Sequence, residues 1–196
     1  MDAIEWKDLY TLGHVRRVAS FAVMVGKELG LSTLELRRLA LGAQMHDVGK
    51  IGVPDRILTK PGKLTAGEFA VIKEHSTRGY NIARNVKALE PAADAIHLHH
   101  ERFDGTGYPL GLSGDAIPLH ARFVAVVDAY DALTSGRAYQ PAVSHEDAIA
   151  ELTSSSGSHF DPKVVDTFAR VMKRVKATDS EALAQPDQSS GSLQVA

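Results

Sequence analysis

Imidazole and carboxylate side chains recur along this chain at positions where a helical fold could gather them. The sequence holds nine histidines, 24 acidic residues and no cysteine. Five of the histidines and two aspartates lie on five predicted helical segments: His14, His46, Asp47, His75, His99, His100 and Asp128. Facing helices of a bundle commonly build dinuclear metal sites from such side chains. Imidazole with carboxylate suits iron, manganese, zinc or nickel, and the lack of cysteine excludes thiolate sites.

Asp128 is the most informative single residue of this set. It follows an apolar run at residues 124–127, on a predicted helix that is apolar on most sides. Aspartate is almost never fully buried without a partner, and an isolated buried carboxylate is very costly. A metal ion is the simplest partner. Backbone amides or a distant lysine are the alternative.

Each of the other residues also has a purely structural explanation when it is taken alone. His14 and His75 could be core histidines. His46 and Asp47 could mark a helix C-terminus, where histidine favours the helix dipole. The histidines near residue 100 could form a solvated polar patch. Successive helical residues are about 100° apart, so His97 is expected to point away from the others and is left in that patch.

The elements that must position these residues are predicted to be helices. Apolar residues recur at three- and four-residue steps, and two capping boxes mark helix starts. The predicted helices cover residues 12–29, 32–46, 65–79, 91–100 and 119–134. Gly79 is expected to interrupt the third, Ser144 and Asp161 are expected to cap later helices, and residues 103–118 must form a loop. No strand pattern is present, so the fold class is predicted to be all-α.

Bulk composition indicates one ordinary domain without a membrane span. The 196 residues carry a formal net charge of −2, which argues against a DNA-binding surface. No apolar run approaches the roughly 18 residues that a membrane helix needs. The N-terminus lacks a secretory pattern, so the cytoplasm is the expected location. Beyond about Lys176 the sequence loses its periodicity, and residues 177–196 are expected to be a disordered tail.

Several motifs resemble a known family when they are read in order. Residues 46–52 (HDVGKIG) resemble the HD signature of metal-dependent phosphohydrolases, and residues 99–109 (HHERFDGTGYP) resemble the GYP signature of the HD-GYP subfamily. Further matches follow at residues 117–118, 127–135 and 160–162. The similarity covers about residues 10–172. The HD pair alone is unspecific, whereas the combined order and spacing are highly specific.

The resemblance implies a cytoplasmic bacterial phosphodiesterase that hydrolyses cyclic di-GMP to pGpG and, in some members, to GMP. It implies an HD-domain helical bundle, with a five-helix core and additional C-terminal helices, over residues 10–176 after an N-terminal segment at 1–9. By matching position, the metal ligands are His14, His46, Asp47, His75, His99, His100 and Asp128. The resemblance further implies that Asp47 bridges two ions, that Lys50 contacts the scissile phosphate, and that Arg137 contacts substrate phosphate. The expected metal is iron, with manganese or another transition metal as the alternative.

Two departures from the family pattern bear on the site. Members with a third metal carry a glutamate four residues before the first ligand histidine, where this chain has Tyr10. A phenol with a pKa of about 10 is a poor ligand at neutral pH, so two divalent ions are expected. The family often reads Arg-Pro-Tyr-Lys after the last helix ligand, whereas residues 137–140 read RAYQ. A substrate-facing cation is therefore missing at Gln140.

The implied chemistry also follows from general principles. Two ions about 3.5–4 Å apart can generate hydroxide and clamp the attacking and leaving oxygens of a phosphodiester. Asp47 sets their spacing, and Lys50 donates to the phosphate. Asp104, Gly107 and Tyr108 are expected at the rim of the metal pocket, where the loop closes over substrate or docks a partner. Tyr108 either stacks on guanine or anchors the loop against the domain.

The sequence leaves three functions open for this chain. The first is the cyclic di-GMP phosphodiesterase. The second is a binding module that senses the nucleotide without turnover, or that docks on a diguanylate cyclase (GGDEF) domain through the GYP loop. The third is a phosphodiesterase for a related cyclic dinucleotide. A homodimer is a further candidate assembly.

Overall fold

The computed structural model describes residues 13–135 and 141–184, with side chains as far as residue 176. Within these residues the chain forms eight α-helices and no strand beyond a single bridge. The helices are α1 His14–Glu28, α2 Thr33–Met45, α3 Asp55–Leu58, α4 Ala66–Arg84, α5 Ala93–Leu98, α6 Leu119–Ser135, α7 His145–Ser154 and α8 Pro162–Ala184. Short 3-10 helices cover Val48–Gly52, Glu90–Ala92 and Gly114–Ala116. The predicted all-α class is confirmed.

Side-chain caps determine where several helices begin. The hydroxyls of Ser32 and Thr65 each accept a hydrogen bond from the backbone N–H three residues on, and the glutamate there accepts one back, which completes both predicted capping boxes. Ser144 accepts from the N–H of Asp147 in the same way. Asp161 accepts from the N–H of Lys163, directly before α8. These bonds satisfy N–H groups that have no partner within a helix.

Helix α6 lies at the centre of the main core. Its residues Phe123, Val124, Val126 and Val127 are fully buried, as the prediction of a central apolar helix requires. They pack with buried apolar residues of α1, α2, α7 and α8 in one cluster. A second, smaller cluster joins the 3-10 helix Val48–Gly52 to α4 and α5. The two clusters hold the helices that carry the candidate site in fixed relation to one another.

The prediction that Gly79 interrupts a helix is wrong, because α4 runs without a break to Arg84. Gly79 is needed there for packing. A Cβ at this position would lie 2.8 Å from Cγ2 of Ile96 and 3.3 Å from the backbone N of Gly49. A Cβ on Gly49 would in turn collide with the carbonyl of His75. The two glycines therefore let the Val48–Gly52 segment rest directly on α4 beside His75.

Other boundaries differ from the predicted ones by a few residues. Helix α5 is shorter than the predicted 91–100, and α8 continues to Ala184, past the expected boundary at residue 176. Residues 103–118 form the predicted loop, apart from the 3-10 helix at 114–116. Tyr10 and residues 137–140 lie outside the described residues. No helix in the described part of the chain is long and apolar enough to cross a membrane.

Candidate metal centre

Six of the seven predicted ligands form two compact groups of three. His75, His99 and His100 make one group, and His14, His46 and Asp128 make the other. Within each group the ligand atoms lie within 4.8 Å of one another. The residues come from α1, α4 and α6 and from the C-terminal ends of α2 and α5. The bundle therefore brings together side chains that are up to 114 residues apart in the sequence.

Asp47, the seventh predicted ligand, lies between the two groups. Its Oδ1 is 3.4 Å from Nε2 of His75, and its Oδ2 is 3.4 Å from Nε2 of His46. One oxygen thus faces each group. A carboxylate in this position can share its two oxygens between two cations, which is the arrangement expected of a bridging ligand.

Three of the histidines are held in one orientation by the backbone. Nδ1 of His46, His75 and His99 lies 2.7 to 2.9 Å from the carbonyl oxygen three residues earlier. A carbonyl only accepts, so Nδ1 must carry the proton and Nε2 is left to act as the ligand atom. This is the usual way in which a metal-binding imidazole is oriented.

The ligand atoms meet in a manner that calls for a cation. Nε2 of His75 and Nε2 of His99 are 3.4 Å apart, and each bears a lone pair when its ring is neutral. Nε2 of His46 is buried without a hydrogen-bond partner, and its nearest carboxylate oxygens, on Asp47 and Asp128, are 3.4 and 3.6 Å away. A divalent cation in each group would satisfy these atoms, so the residues present fit two metal ions.

The protonation states agree with this reading. Burial lowers the pKa of His75, drives that of His99 well below its usual value, and lowers that of His100 to about 3. These three rings are therefore neutral, as metal ligands must be. Burial opposes ionisation of Asp47 as well, but Lys50 and His46 outweigh it and hold the pKa of that carboxyl well below its usual value.

The group of His14, His46 and Asp128 contains one carboxylate, and Asp47 also lies close to its His46. Burial would lower the pKa of His46, but Asp47 and Asp128 outweigh it and raise the pKa to about 10. Burial likewise opposes ionisation of Asp128, yet His46 holds the pKa of that carboxyl below its usual value. The surroundings of His46 thus favour positive charge at the point where a metal ion would lie.

A second carboxylate on α6 orients His14, the first of the predicted ligands. Nδ1 of His14 donates to Oδ2 of Asp131 at 2.7 Å, and Nε of Arg17 donates to Oδ1 at 2.5 Å. The side chain of Asp131 is only 2% exposed, whereas that of Asp128 is 18% exposed. The fully buried acid of α6 is therefore Asp131, which is paired with an arginine, and Asp128 faces the histidines. Sequence reasoning missed Asp131, although its position one helical turn after Asp128 was a usable signal.

Lys50 lies beside the proposed bridging carboxylate. Its Nζ donates to Oδ2 of Asp47 at 2.6 Å, and its side chain is 26% exposed. In a 3-10 helix, residues three apart stand on the same side, and Asp47 directly precedes the Val48–Gly52 helix that contains Lys50. The short helix therefore sets an ammonium group next to the predicted metal ligands.

The predicted rim loop is tied directly to His100. The N–H of Tyr108 donates to the His100 carbonyl at 3.1 Å, and the two rings are stacked with centroids 4.8 Å apart. Gly107 makes the close approach possible, since a Cβ there would lie 2.6 Å from that carbonyl oxygen. Tyr108 is thus next to the predicted ligand His100 and is not part of the core.

A buried glutamate, which sequence reasoning also missed, anchors this loop. Glu101 is 3% exposed, and its carboxylate accepts the backbone N–H groups of Leu110, Gly111 and Leu112 at 2.6 to 3.1 Å. It is the neighbour of His100 in the chain. An acid that directly follows two ligand histidines was the available signal, but its partners are backbone groups and leave no mark in the sequence.

Two further predicted positions can be compared with the structure. The carboxylate of Asp104 accepts hydrogen bonds from Arg102 and Thr106 and so braces the loop; its role toward substrate stays a prediction. His97 stacks on Tyr80 at 4.4 Å, away from both ligand groups, as expected. Arg137 lies outside the described residues.

The fold and this centre define an all-α domain built around two neighbouring groups of candidate metal ligands. The sequence profile of the family described as HD domain matches residues 1–164. The chain therefore belongs to the HD domain family.

The chain is also similar to curated proteins that are named as phosphodiesterases. The chain is 44% identical over 170 residues to the cyclic di-GMP phosphodiesterase response regulator RpfG of Xanthomonas campestris pv. campestris, a match that covers 86% of this chain and 45% of the relative. It is 38% identical over 167 residues to the 3'3'-cGAMP-specific phosphodiesterase 2 of Vibrio cholerae, with coverages of 84% and 32%. The chain thus spans less than half the length of these curated relatives.

A solved structure shows the same fold. Bd1817, an HDG"Y"P protein from Bdellovibrio bacteriovorus, matches with a TM-score of 0.67 at 22% identity, over 82% of this chain and 51% of that one. The HD-domain helical bundle expected from the sequence is thereby confirmed.

Proposed function

We propose that this chain is a metal-dependent phosphodiesterase that hydrolyses cyclic di-GMP to pGpG, and pGpG in part to GMP, at a dinuclear site. The observation that carries the proposal is the position of Asp47, with one carboxylate oxygen toward each of two three-residue ligand groups. The proposed ions are iron, or manganese or another transition metal, because the ligands are imidazole and carboxylate.

The chain's own residues supply the rest of the reaction's needs. When bound, two divalent ions provide a hydroxide nucleophile and neutralise charge on a phosphodiester. The carboxylate of Asp47 lies between the two ligand groups and presents one oxygen to each of them. Lys50 lies beside Asp47 and can donate to a phosphate oxygen there. Two divalent ions and only two ligand carboxylates would leave the loaded site net positive, which favours an anionic substrate.

The substrate class is supported by relatives. Proteins named as phosphodiesterases for cyclic di-GMP and for 3'3'-cGAMP match this chain over more than four fifths of its length. The former are the more similar, at 44% against 38% identity, so cyclic di-GMP is the proposed substrate and 3'3'-cGAMP the second candidate. The cytoplasm, which the family resemblance implies, is the proposed location.

A partner surface is also proposed on the rim loop. Leu110, two residues after Tyr108, is 61% exposed, and a large apolar side chain in that position suits a protein contact better than a nucleotide. A GGDEF domain of a diguanylate cyclase is the proposed partner. Leu110→Ser should abolish its binding in a pull-down with a purified cyclase domain and leave hydrolysis unchanged; undiminished binding would contradict the proposal.

Timed product analysis tests the enzymatic function. Anaerobically purified chain, loaded with Fe²⁺ or Mn²⁺, is incubated in parallel with cyclic di-GMP and 3'3'-cGAMP, and products are followed by liquid chromatography with mass spectrometry. We expect pGpG first and GMP later. His99→Ala should abolish turnover, whereas His97→Ala, a matched change two residues away but outside the site, should not. Tight nucleotide binding by fully metal-loaded protein without turnover would favour the sensor instead.

A further inference from the structure

A surface of two side chains extends outward from the metal-binding groups. Phe69 and Lys73 lie one turn apart on α4, and Nζ of Lys73 is 4.9 Å from the Phe69 ring centroid. The same Nζ is 5.0 Å from the ring of Tyr108, which stacks on His100. We refer to Phe69 and Lys73 together as the α4 shelf. It begins one aromatic ring away from a predicted metal ligand.

The composition of the shelf is not explained by folding. Phe69 is 46% exposed, although an aromatic side chain is stabilising chiefly when buried. Lys73 is half-buried against two rings, and among the described residues it forms no ion pair with a carboxylate. The core face of α4 is formed elsewhere, by His75, Gly79 and Ala83.

A cyclic dinucleotide has two phosphodiesters and two bases, but the metal-binding groups can take only one phosphodiester at a time. The other phosphate and its base are then available to contact the surrounding surface. An exposed aromatic ring offers a stacking platform to any base, and an ammonium group offers charge-assisted hydrogen bonds to phosphate. The shelf holds one of each, side by side.

We propose that the α4 shelf binds the half of the cyclic dinucleotide that is not being cleaved: Phe69 stacks on its base, and Lys73 contacts its phosphate. The inference rests on the proposed function and adds a second subsite to it. Lys73 also supplies the positive charge for that phosphate in a chain that has glutamine at position 140.

Tyr108 fits this role less well. Its ring already has the His100 ring stacked on it and Nζ of Lys73 beside it, so a base could stack on Tyr108 only by displacing one of them. In this account Tyr108 anchors the loop, and the base is received by Phe69.

Two variants test the shelf. Lys73→Met removes the charge while keeping the length of the side chain, and Phe69→Ala removes the ring. Steady-state kinetics are measured with cyclic di-GMP and with bis(p-nitrophenyl) phosphate, which has one phosphodiester and no base. We expect KM for cyclic di-GMP to rise about tenfold in Lys73→Met and about fivefold in Phe69→Ala. The ratio of kcat/KM for cyclic di-GMP to kcat/KM for bis(p-nitrophenyl) phosphate should fall by the same factors.

Three controls make the outcome specific. Lys87→Met removes an exposed lysine beyond the far end of α4 and should change neither KM. Metal content should be the same in all variants. Added salt should raise KM for cyclic di-GMP more in the wild-type chain than in Lys73→Met, because one screened contact has been removed. Equal losses on both substrates, or an unchanged KM for cyclic di-GMP in Lys73→Met, would overturn the proposal.

Binding measurements separate this proposal from the enzymatic one. The dissociation constant is measured with metal-loaded protein by isothermal titration calorimetry, with a hydrolysis-resistant phosphorothioate analogue of cyclic di-GMP as the ligand, and turnover of cyclic di-GMP is assayed separately. Wild-type chain that binds but does not hydrolyse the nucleotide contradicts the proposed function, and a weaker affinity in Lys73→Met still supports the shelf. Equal affinity in wild type and Lys73→Met contradicts the shelf even if turnover is normal, and a wild-type chain that fails to bind contradicts both.

Discussion

Asp131→Asn should weaken metal binding without removing any metal ligand. Asp131 accepts from Nδ1 of His14 at 2.7 Å and from Nε and Nη2 of Arg17 at 2.5 and 3.0 Å. An asparagine has one acceptor oxygen in place of two, so its NH₂ group must face either His14 or Arg17, donor against donor. The imidazole is then no longer fixed with Nε2 as the ligand atom. Loss of such a supporting carboxylate typically lowers metal affinity 10–100-fold.

Competition with a chelator measures this effect directly. Mn²⁺ affinity is determined for wild type, Asp131→Asn and Asp166→Asn, the last being a matched change at an exposed aspartate on α8. We expect Mn²⁺ affinity to fall about 10–100-fold in Asp131→Asn and to stay unchanged in Asp166→Asn. The loss should affect only one of two Mn²⁺ binding events, because His14 belongs to only one ligand group. An unchanged affinity, or equal weakening of both events, would refute the reasoning.

Four further outcomes are expected. Asp128→Ala should lose the ion of its ligand group together with activity, as seen by mass spectrometry of metal content; retention of both would rule out Asp128 as a ligand. Lys50→Ala should lower kcat by about 10²–10³-fold with metal content unchanged, and parallel loss of metal would make Lys50 structural. Glu101→Gln should lower the free energy of unfolding in urea by about 1–3 kcal/mol, because a buried N–H then faces an NH₂ group. Lys60 is the main cause that lowers the pKa of Glu68 to about 2. The ionised carboxylate therefore adds stability that is present above about pH 4.5 and is lost as the pH falls toward 2. In Glu68→Gln, the free energy of unfolding in urea should depend less on pH over this range.

Local signals in the sequence predicted most of the helical framework. Capping boxes are contiguous patterns with one physical meaning, and both predicted boxes form around Ser32 and Thr65. Gly79 was misread because its helix propensity is poor, whereas its actual role depends on Ile96 and Gly49, which approach it only in the folded chain. Packing between distant segments outweighed local propensity at this residue.

The ligand set was more predictable than its supporting residues. The seven predicted ligands are polar groups whose types and order match a known pattern, and the structure brings them together. Asp131 and Glu101 were missed because their partners are an arginine on α1 and backbone N–H groups of the rim loop. Such contacts have no fixed spacing. The number of ions stays a prediction, since Tyr10 lies outside the described residues.

Metal content per chain tests the central claim most directly. The chain is purified anaerobically, and bound metal is counted by inductively coupled plasma mass spectrometry in the wild type and in Asp47→Asn. Two ions per wild-type chain are predicted, and fewer than two in Asp47→Asn, whose amide nitrogen cannot act as the second bridging donor. One ion or three in the wild type, or two ions retained in Asp47→Asn, would contradict a dinuclear site bridged by Asp47.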